Sequence, residues 1–400
     1  MLVETKWLWM LLLLLPVAAA AAVWGLLRAR NMQIWIASYL RRPRPAKGQG
    51  PTHVLFCFVD HFEPMWKGAD ADTQRARVDR WCSEYRQLAG RHRDADGRPP
   101  QHSFFYPEEE YTEEHLDKIA ALCSDGFGEI EIHLHHDNDT EENFRRCMGG
   151  FARTLHQRHG ALPVDPVTGQ IKFAFIHGNW CLDNSRADGR WCGLNNELIL
   201  LRELGCYADF TLPAAPSEAQ TSTVNSIYYA KDDPDRPKSH DTGVPVRVGG
   251  QASGDLMIIQ GPLALNWKSR RMGFMPRIEN SDIRRSSPPT PDRVDAWVRA
   301  GIHVEGRPEW VFVKIHTHGT QEPDMDTLLG EASERMYGHL EQRYNDGKDY
   351  VLHYVTAREM YNIVKAAEAG LQGNPDQYRD YELPAPFASW TGARGNRQAA

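Results

Sequence analysis

Glu129-Ile130-Glu131-Ile132-His133-Leu134-His135-His136-Asp137 begins as an alternating run and ends in three histidines and an acid. A strand of period two sends successive side chains to opposite faces, so His133 and His135 share one face before the chain turns. Imidazole and carboxylate are the ligands a borderline cation such as zinc selects. At a strand end such a knot reads as half of a metal site. A hydrated, histidine-rich loop is the competing reading.

Working outward, Val54-Leu55-Phe56-Cys57-Phe58-Val59 is a continuous apolar run, as expected of a strand buried on both faces, and it ends in Asp60-His61-Phe62-Glu63-Pro64. Further strands are predicted at 103–106, 171–176, 207–211, 256–260, 310–315 and 350–355. They lead into Glu108-Glu109-Glu110, His177, Asp209 and His316-Thr317-His318-Gly319. Amphipathic helices are predicted at 73–88, 112–123, 140–158, 195–204, 292–300, 324–344 and 357–369. Strands alternating with helices indicate an α/β fold with a parallel sheet and helices outside. Seven or eight units over 53–370 suit a closed or nearly closed (β/α) barrel, with an irregular insertion at 212–254. A doubly wound open sheet is the alternative. In a parallel barrel the strand ends converge on one mouth, which would gather histidines from four separate strands.

The 400 residues carry a formal net charge of −7 with acids and bases mixed, so no basic stripe argues for nucleic acid. Seven cysteines without a CxxC pair suggest neither a disulfide framework nor a zinc ribbon. Trp7 to Leu27 has no charge and is long enough to cross a bilayer as one helix, which makes residues 1–30 a membrane anchor. A cleaved signal peptide, with the Ala18–Ala22 run near its cleavage site, is the rival. Arg28, Arg30, Arg41, Arg42, Arg44 and Lys47 follow the apolar run and favour a cytoplasmic-facing domain on the bacterial inner membrane, with a periplasmic one as the alternative. Residues 31–52 read as an interfacial segment (32–40) and a linker, and 371–400 as a polar tail.

The order of elements over 53–369 resembles the NodB-homology polysaccharide deacetylases, metal-dependent enzymes on a distorted (β/α) barrel that remove acetyl groups from sugars. The family opens with T-F-D-D-G after its first strand, where this chain reads Cys57-Phe58-Val59-Asp60-His61. The resemblance puts Asp60 on the metal-binding aspartate and Val59, which cannot act, on the catalytic base. The family's H-[S/T]-x-x-H motif falls on His133 and Asp137, with His136 one residue short. His177-Gly178-Asn179-Trp180 replaces its arginine motif, and Ile315-His316 matches its last one, which makes His316 the counterpart of the general acid.

What this implies is a divalent metal, most readily zinc, held by Asp60, His133 and Asp137 or His136, with Glu63 as substitute base. Asp60 as base with His61 as ligand is the other arrangement. His318 would orient His316 or touch substrate, and Tyr106, His177, Asn179, Trp180 and Trp267 would contact a glycan. Lys268, Arg270 and Arg271 suit an anionic group or a solvated loop. Two further functions remain open: a glycosidase pairing Asp60 or Glu63 with Glu109, and a non-catalytic glycan-binding or scaffold domain.

Overall fold

The computed structural model describes residues 17–42 and 50–387. A helix α1 over 17–28 and α2 (Ile36–Arg41) precede β1 (Thr52–His61), α3 (Ala71–Ala89), β2 (His102–Pro107), α4 (Glu113–Leu122) and β3 (Gly128–Leu134). Next come α5 (Glu141–His159), β4 (Phe173–His177), α6 (Glu197–Leu204), β5 (Cys206–Asp209), β6 (Ile227–Ala230), β7 (Val244–Pro245) and β8 (Leu256–Ile259). The chain continues with β9 (Ala264–Arg271), β10 (Met275–Glu279), β11 (Asp282–Ile283), α7 (Pro291–Arg299) and β12 (Trp310–Thr317). It closes with α8 (Glu322–Leu328), α9 (Glu331–Tyr344), β13 (Tyr350–Val355) and α10 (Ala357–Glu368).

The architecture is mixed α/β around one large, mostly parallel sheet. β1 pairs with β12 along one edge, while its other edge takes β13 against Thr52–Cys57 and β2 against Phe58–His61. From β2 the ladder runs through β3, β4, β5 and β8 to β6 and β7. Among the described residues no strand pairing joins its free ends, β11 and β7, into a ring. Residues 302–305 reach both sides instead: Phe312 N–H donates to Ile302 O and Glu305 N–H to Val246 O. The 212–254 segment, expected to be an irregular insertion, supplies β6 and β7, antiparallel strands that prolong the sheet.

Alternation along the strands builds two cores. Val54, Phe56 and Phe58 of β1 face the helices with Trp81, Ile130, Ile132 and Val313. Leu55, Cys57 and Val59 face the other way, with Phe105, Ile176, Phe210 and Phe312. The inner face is partly polar. Lys314, fully buried, donates from Nζ to Phe210 O and Leu212 O, and burial brings its amine down to about 7. All seven cysteines are unpaired thiols.

Among the described residues no helix is long and apolar enough to cross a membrane; residues 1–16 of the expected anchor lie outside the described residues. The segment expected to lie at the interface packs on the domain through one side. Trp35 is buried with Ala215, Val224 and Leu263, and Asn31 donates to Pro216 O.

Glu131 carries a pH prediction. It is buried on β3, accepting from the Tyr207 hydroxyl of β5 and from Ala174 N–H of β4, and burial pushes its carboxyl up to about 8. The unfolded chain releases that proton near the ordinary carboxylate value of about 4.3. Between those values the native state binds more protons, so this group makes stability fall as pH rises, with no further loss above about 8. Glu131→Gln is expected to gain stability relative to wild type between pH 5 and pH 9, on the order of a few kcal/mol by denaturant titration. A difference that does not change with pH contradicts this.

Candidate functional site

β1 runs two residues past Val59, and this sets the site. Strand alternation turns Asp60 toward the helix layer and His61 toward the inner face. Asp60 is fully buried there. Its Oδ1 accepts from Gly319 N–H at 2.6 Å and its Oδ2 from His102 Nε2 at 2.8 Å. Trp81 Nε1 donates to Gly319 O and closes the arrangement. Glycine is required at 319 because a Cβ would sit 2.0 Å from Asp60 Oδ2. Asp60 therefore ties the β1 and β12 ends together and offers no oxygen to an ion, in contrast to its place in the resemblance.

On the inner side a single carboxylate meets four imidazoles. Glu63, 7% exposed, follows β1, and its backbone carbonyl is held by the Thr320 hydroxyl. Its Oε1 lies 3.3 Å from His133 Nε2 and 3.5 Å from His135 Nε2. His61 and His318 bring ligand atoms within 4.8 Å of the same carboxylate. The rings are contiguous: His135 and His133 at 4.5 Å between centroids, His133 and His61 at 4.8 Å, His61 and His318 stacked at 4.6 Å.

The outer nitrogens decide what this cluster can hold. His133 Nδ1 donates to Ile176 O at 2.7 Å, and His135 Nδ1 donates to Glu109 Oε1 at 2.6 Å. Both partners are acceptors only, so in the neutral rings both Nε2 atoms present lone pairs to Glu63 Oε1. Three acceptors converging on one point need a proton or a metal cation between them. Zinc bonds of 2.0–2.1 Å in a tetrahedron separate ligand atoms by about 3.3–3.5 Å, which matches the two distances to Glu63. Carbonyl and carboxylate partners on the outer nitrogens are also the usual support of metal-bound histidines. The donor set fits a divalent metal.

Around the open side stand His61, His316, His318 and Trp180. His316 lies 6.5 Å from His61 between ring centroids, buried, with neither ring nitrogen hydrogen-bonded. Burial, reinforced by neighbouring positive groups, holds the His61 and His316 rings well below the usual imidazole range, hence neutral. Burial alone would raise the Glu63 carboxyl, but the His133 hydrogen bond and the His318, His133 and His135 charges bring it below its ordinary value. Trp180 packs 6.0 Å from His61 and 5.8 Å from His318. Gly178 lets the connection after β4 approach, since a Cβ there would sit 2.4 Å from His135 Cδ2.

Several expected residues fall elsewhere. Asp137 is exposed, and its Oδ1 accepts from Trp191 N–H, so it clamps a loop. His136 and His177 turn away from Glu63 and meet Cys192 and Glu197 in a second cluster. Tyr106 is buried on the helix side of β2, donating to Glu110 O, and cannot reach a sugar bound on the inner side. Trp267, 56% exposed, stands on β9 in the separate β9–β10 hairpin, and the neighbouring Lys268 pairs with Asp292. Asn179 is half-buried on the loop bearing Trp180. His135 was visible only as the period-two partner of His133, and Cys192 and Glu197 had no local signal.

No protein-family model matches the chain, and no curated protein matches it. Among solved structures, it is similar to a crystal structure provisionally assigned as a polysaccharide deacetylase from Mycobacterium smegmatis. The likeness covers 83% of this chain and 96% of that chain at 13% sequence identity, with a TM-score of 0.41. At that level of likeness, function has to be argued from the side chains.

Proposed function

We propose that the chain is a metal-dependent hydrolase that removes acetyl groups from an acetylated sugar or glycan. The observation that carries the metal is Glu63 Oε1 facing the Nε2 atoms of His133 and His135, whose outer nitrogens are already committed. Two histidines and a glutamate make a three-ligand set with one side open. A divalent ion so held supplies Lewis-acid polarisation of an acyl carbonyl and lowers the pKa of water toward neutrality.

The remaining work belongs to the chain's own groups. His61, kept neutral by burial and stacked on His318, can accept a proton on the open side. The proton His61 takes up can be returned to the leaving amine or alkoxide, toward which His316, its ring nitrogens free, can donate an N–H hydrogen bond. The half-buried Trp180 offers a ring edge beside these groups against which a sugar can lie. The acetylated-sugar substrate is supported by the motif resemblance, above all Ile315-His316 at the end of β12. Glu63 here is a ligand rather than the substitute base.

The test is elemental analysis of purified protein together with acetate release from a panel of N- and O-acetylated oligosaccharides. Wild type is expected to carry a divalent transition metal and release acetate. His133→Ala is expected to lose acetate release together with the metal of this site, and chelator-treated protein to lose acetate release, with metal add-back restoring only the chelated sample. Metal-free but active wild type would sink the reading, as would metal-loaded protein inert toward the whole panel.

A further inference from the structure

We propose that His136, His177, Cys192 and Glu197 form a second, closed metal site for zinc, which pins the connection between β4 and α6. The four come from separate places: the turn after β3, the last residue of β4, the loop beyond it and the first residue of α6. The His136 side chain is 6% exposed and the other three are fully buried. All four ligand atoms lie within 4.8 Å of one another.

The hydrogen bonds leave either a shared proton or a cation as the missing partner, and the proposed site takes the cation. His136 Nδ1 donates to Asp139 Oδ2 at 3.0 Å, and His177 Nδ1 donates to Gly178 O. With both rings neutral, each turns a bare Nε2 inward, and those two atoms are 2.8 Å apart. Glu197 Oε1 lies 3.2 and 3.5 Å from them and is buried without a hydrogen bond of its own. Its Oε2 is anchored by Asp183 N–H and lies 3.4 Å from Cys192 Sγ. Leu194 N–H donates to that sulfur at 3.5 Å, a contact that favours the thiolate. Three lone-pair donors and a thiol aimed at one dry point repel each other unless a proton or a metal sits between them.

The ligand chemistry selects the metal. A thiolate with two imidazoles and a carboxylate suits zinc in a tetrahedron, whose ligand atoms stand about 3.3–3.6 Å apart. Glu197 already keeps such distances, and the two imidazole nitrogens at 2.8 Å would part slightly to take the ion. Burial on all sides leaves no open position, so this site is structural. What it holds is a connection of unfavourable backbone: Asn179, Trp180, Asp183, Asn184 and Trp191 all take left-handed φ. Such conformations persist only where the surroundings impose them. The same connection carries Trp180 against His61 and Gly178 against His135, so pinning it fixes one wall of the first site.

Cobalt(II) loading of the full chain tests this, because a cysteine thiolate bound to cobalt adds a charge-transfer absorption that imidazole and carboxylate ligands do not. Wild type is expected to take up two equivalents and show that absorption. Cys192→Ser and His136→Ala are each expected to lose it together with one equivalent. His133→Ala is expected to lose the other equivalent and keep the absorption. Absence of the absorption in wild type, as a proton shared by the histidines would give, overturns the proposal, and so does absorption that survives either of the first two substitutions. His136→Ala and the wild-type spectrum keep the test valid if Cys192→Ser does not fold. One equivalent with the absorption would remove the hydrolytic metal and leave this site standing; one equivalent without it would do the reverse.

Discussion

Glu63→Gln is expected to lower acetate release by about 10³-fold or more and to strip the metal from the first site, while the fold survives. The amide keeps the shape of the side chain and removes its charge. Its NH₂ can donate to His133 Nε2, now 3.3 Å from Glu63 Oε1, so the buried imidazole still has a partner. What disappears is the carboxylate that His61, His133, His135 and His318 surround. A metal's stabilisation of developing charge is worth several kcal/mol, and about 4 kcal/mol corresponds to a factor of about 10³. Asp60→Asn is the paired control. An amide at 60 still accepts from Gly319 N–H through its oxygen and donates to a tautomer-switched His102 through its nitrogen. Metal content should hold, and activity should stay within about tenfold. Asp60→Ala should instead cost stability, about 1–3 kcal/mol for each buried donor left unpaired. The measurements are metal per chain, initial rate and denaturation midpoint for all three proteins. Metal lost from Asp60→Asn and retained in Glu63→Gln would reverse the assignment.

The contrast between these two acids shows where the sequence was legible. Buried parallel strands read directly from runs such as 54–59 and 310–315, and the alternation at 129–135 placed His133 and His135 on one face. Asp60 and His61 differ by one position, and a one-residue step moves a side chain to the opposite face. Aligning the family motif on Phe58 fixed the position along the strand, but only the pairing of Asp60 with Thr317 and Phe104 shows which way it points. His136 stood among the metal candidates, but its partners Cys192 and Glu197 come from a connection without periodicity, where no local rule predicts convergence. The docking of 32–40 was hidden for a different reason: an apolar segment beside a basic one satisfies a membrane surface and a protein groove equally well until the groove is known.

Arg358→Ala is expected to be the most destabilising single change outside the two clusters, at about 3–5 kcal/mol. Arg358 opens α10, is 1% exposed and meets Glu129 at the start of β3, with Nη2 2.7 Å from Oε1 and Nε 3.1 Å from both oxygens. The Thr356 hydroxyl also donates to Glu129 Oε2. Nη1 holds the carbonyls of Arg379 and Leu383, which fastens the segment after α10 under the sheet. Removing the guanidinium leaves a buried carboxylate without its counter-charge and two carbonyls without a donor. Lysine at 358 should rescue little, because a point charge cannot reproduce a fork that bonds in both directions. Replacing both partners, as in Glu129→Leu with Arg358→Met, should recover the charge penalty and not the tail contacts. Its loss should fall between wild type and Arg358→Ala. Guanidinium denaturation of the four proteins reads this order. The ion pair sits at the N-terminal end of β3, opposite the end that bears His133, so metal content of the folded fraction should be unchanged. Equal stability of Arg358→Ala and wild type would show that the buried pair contributes nothing net. A double variant less stable than Arg358→Ala would show that the carboxylate, and not the loss of its partner, supports the fold.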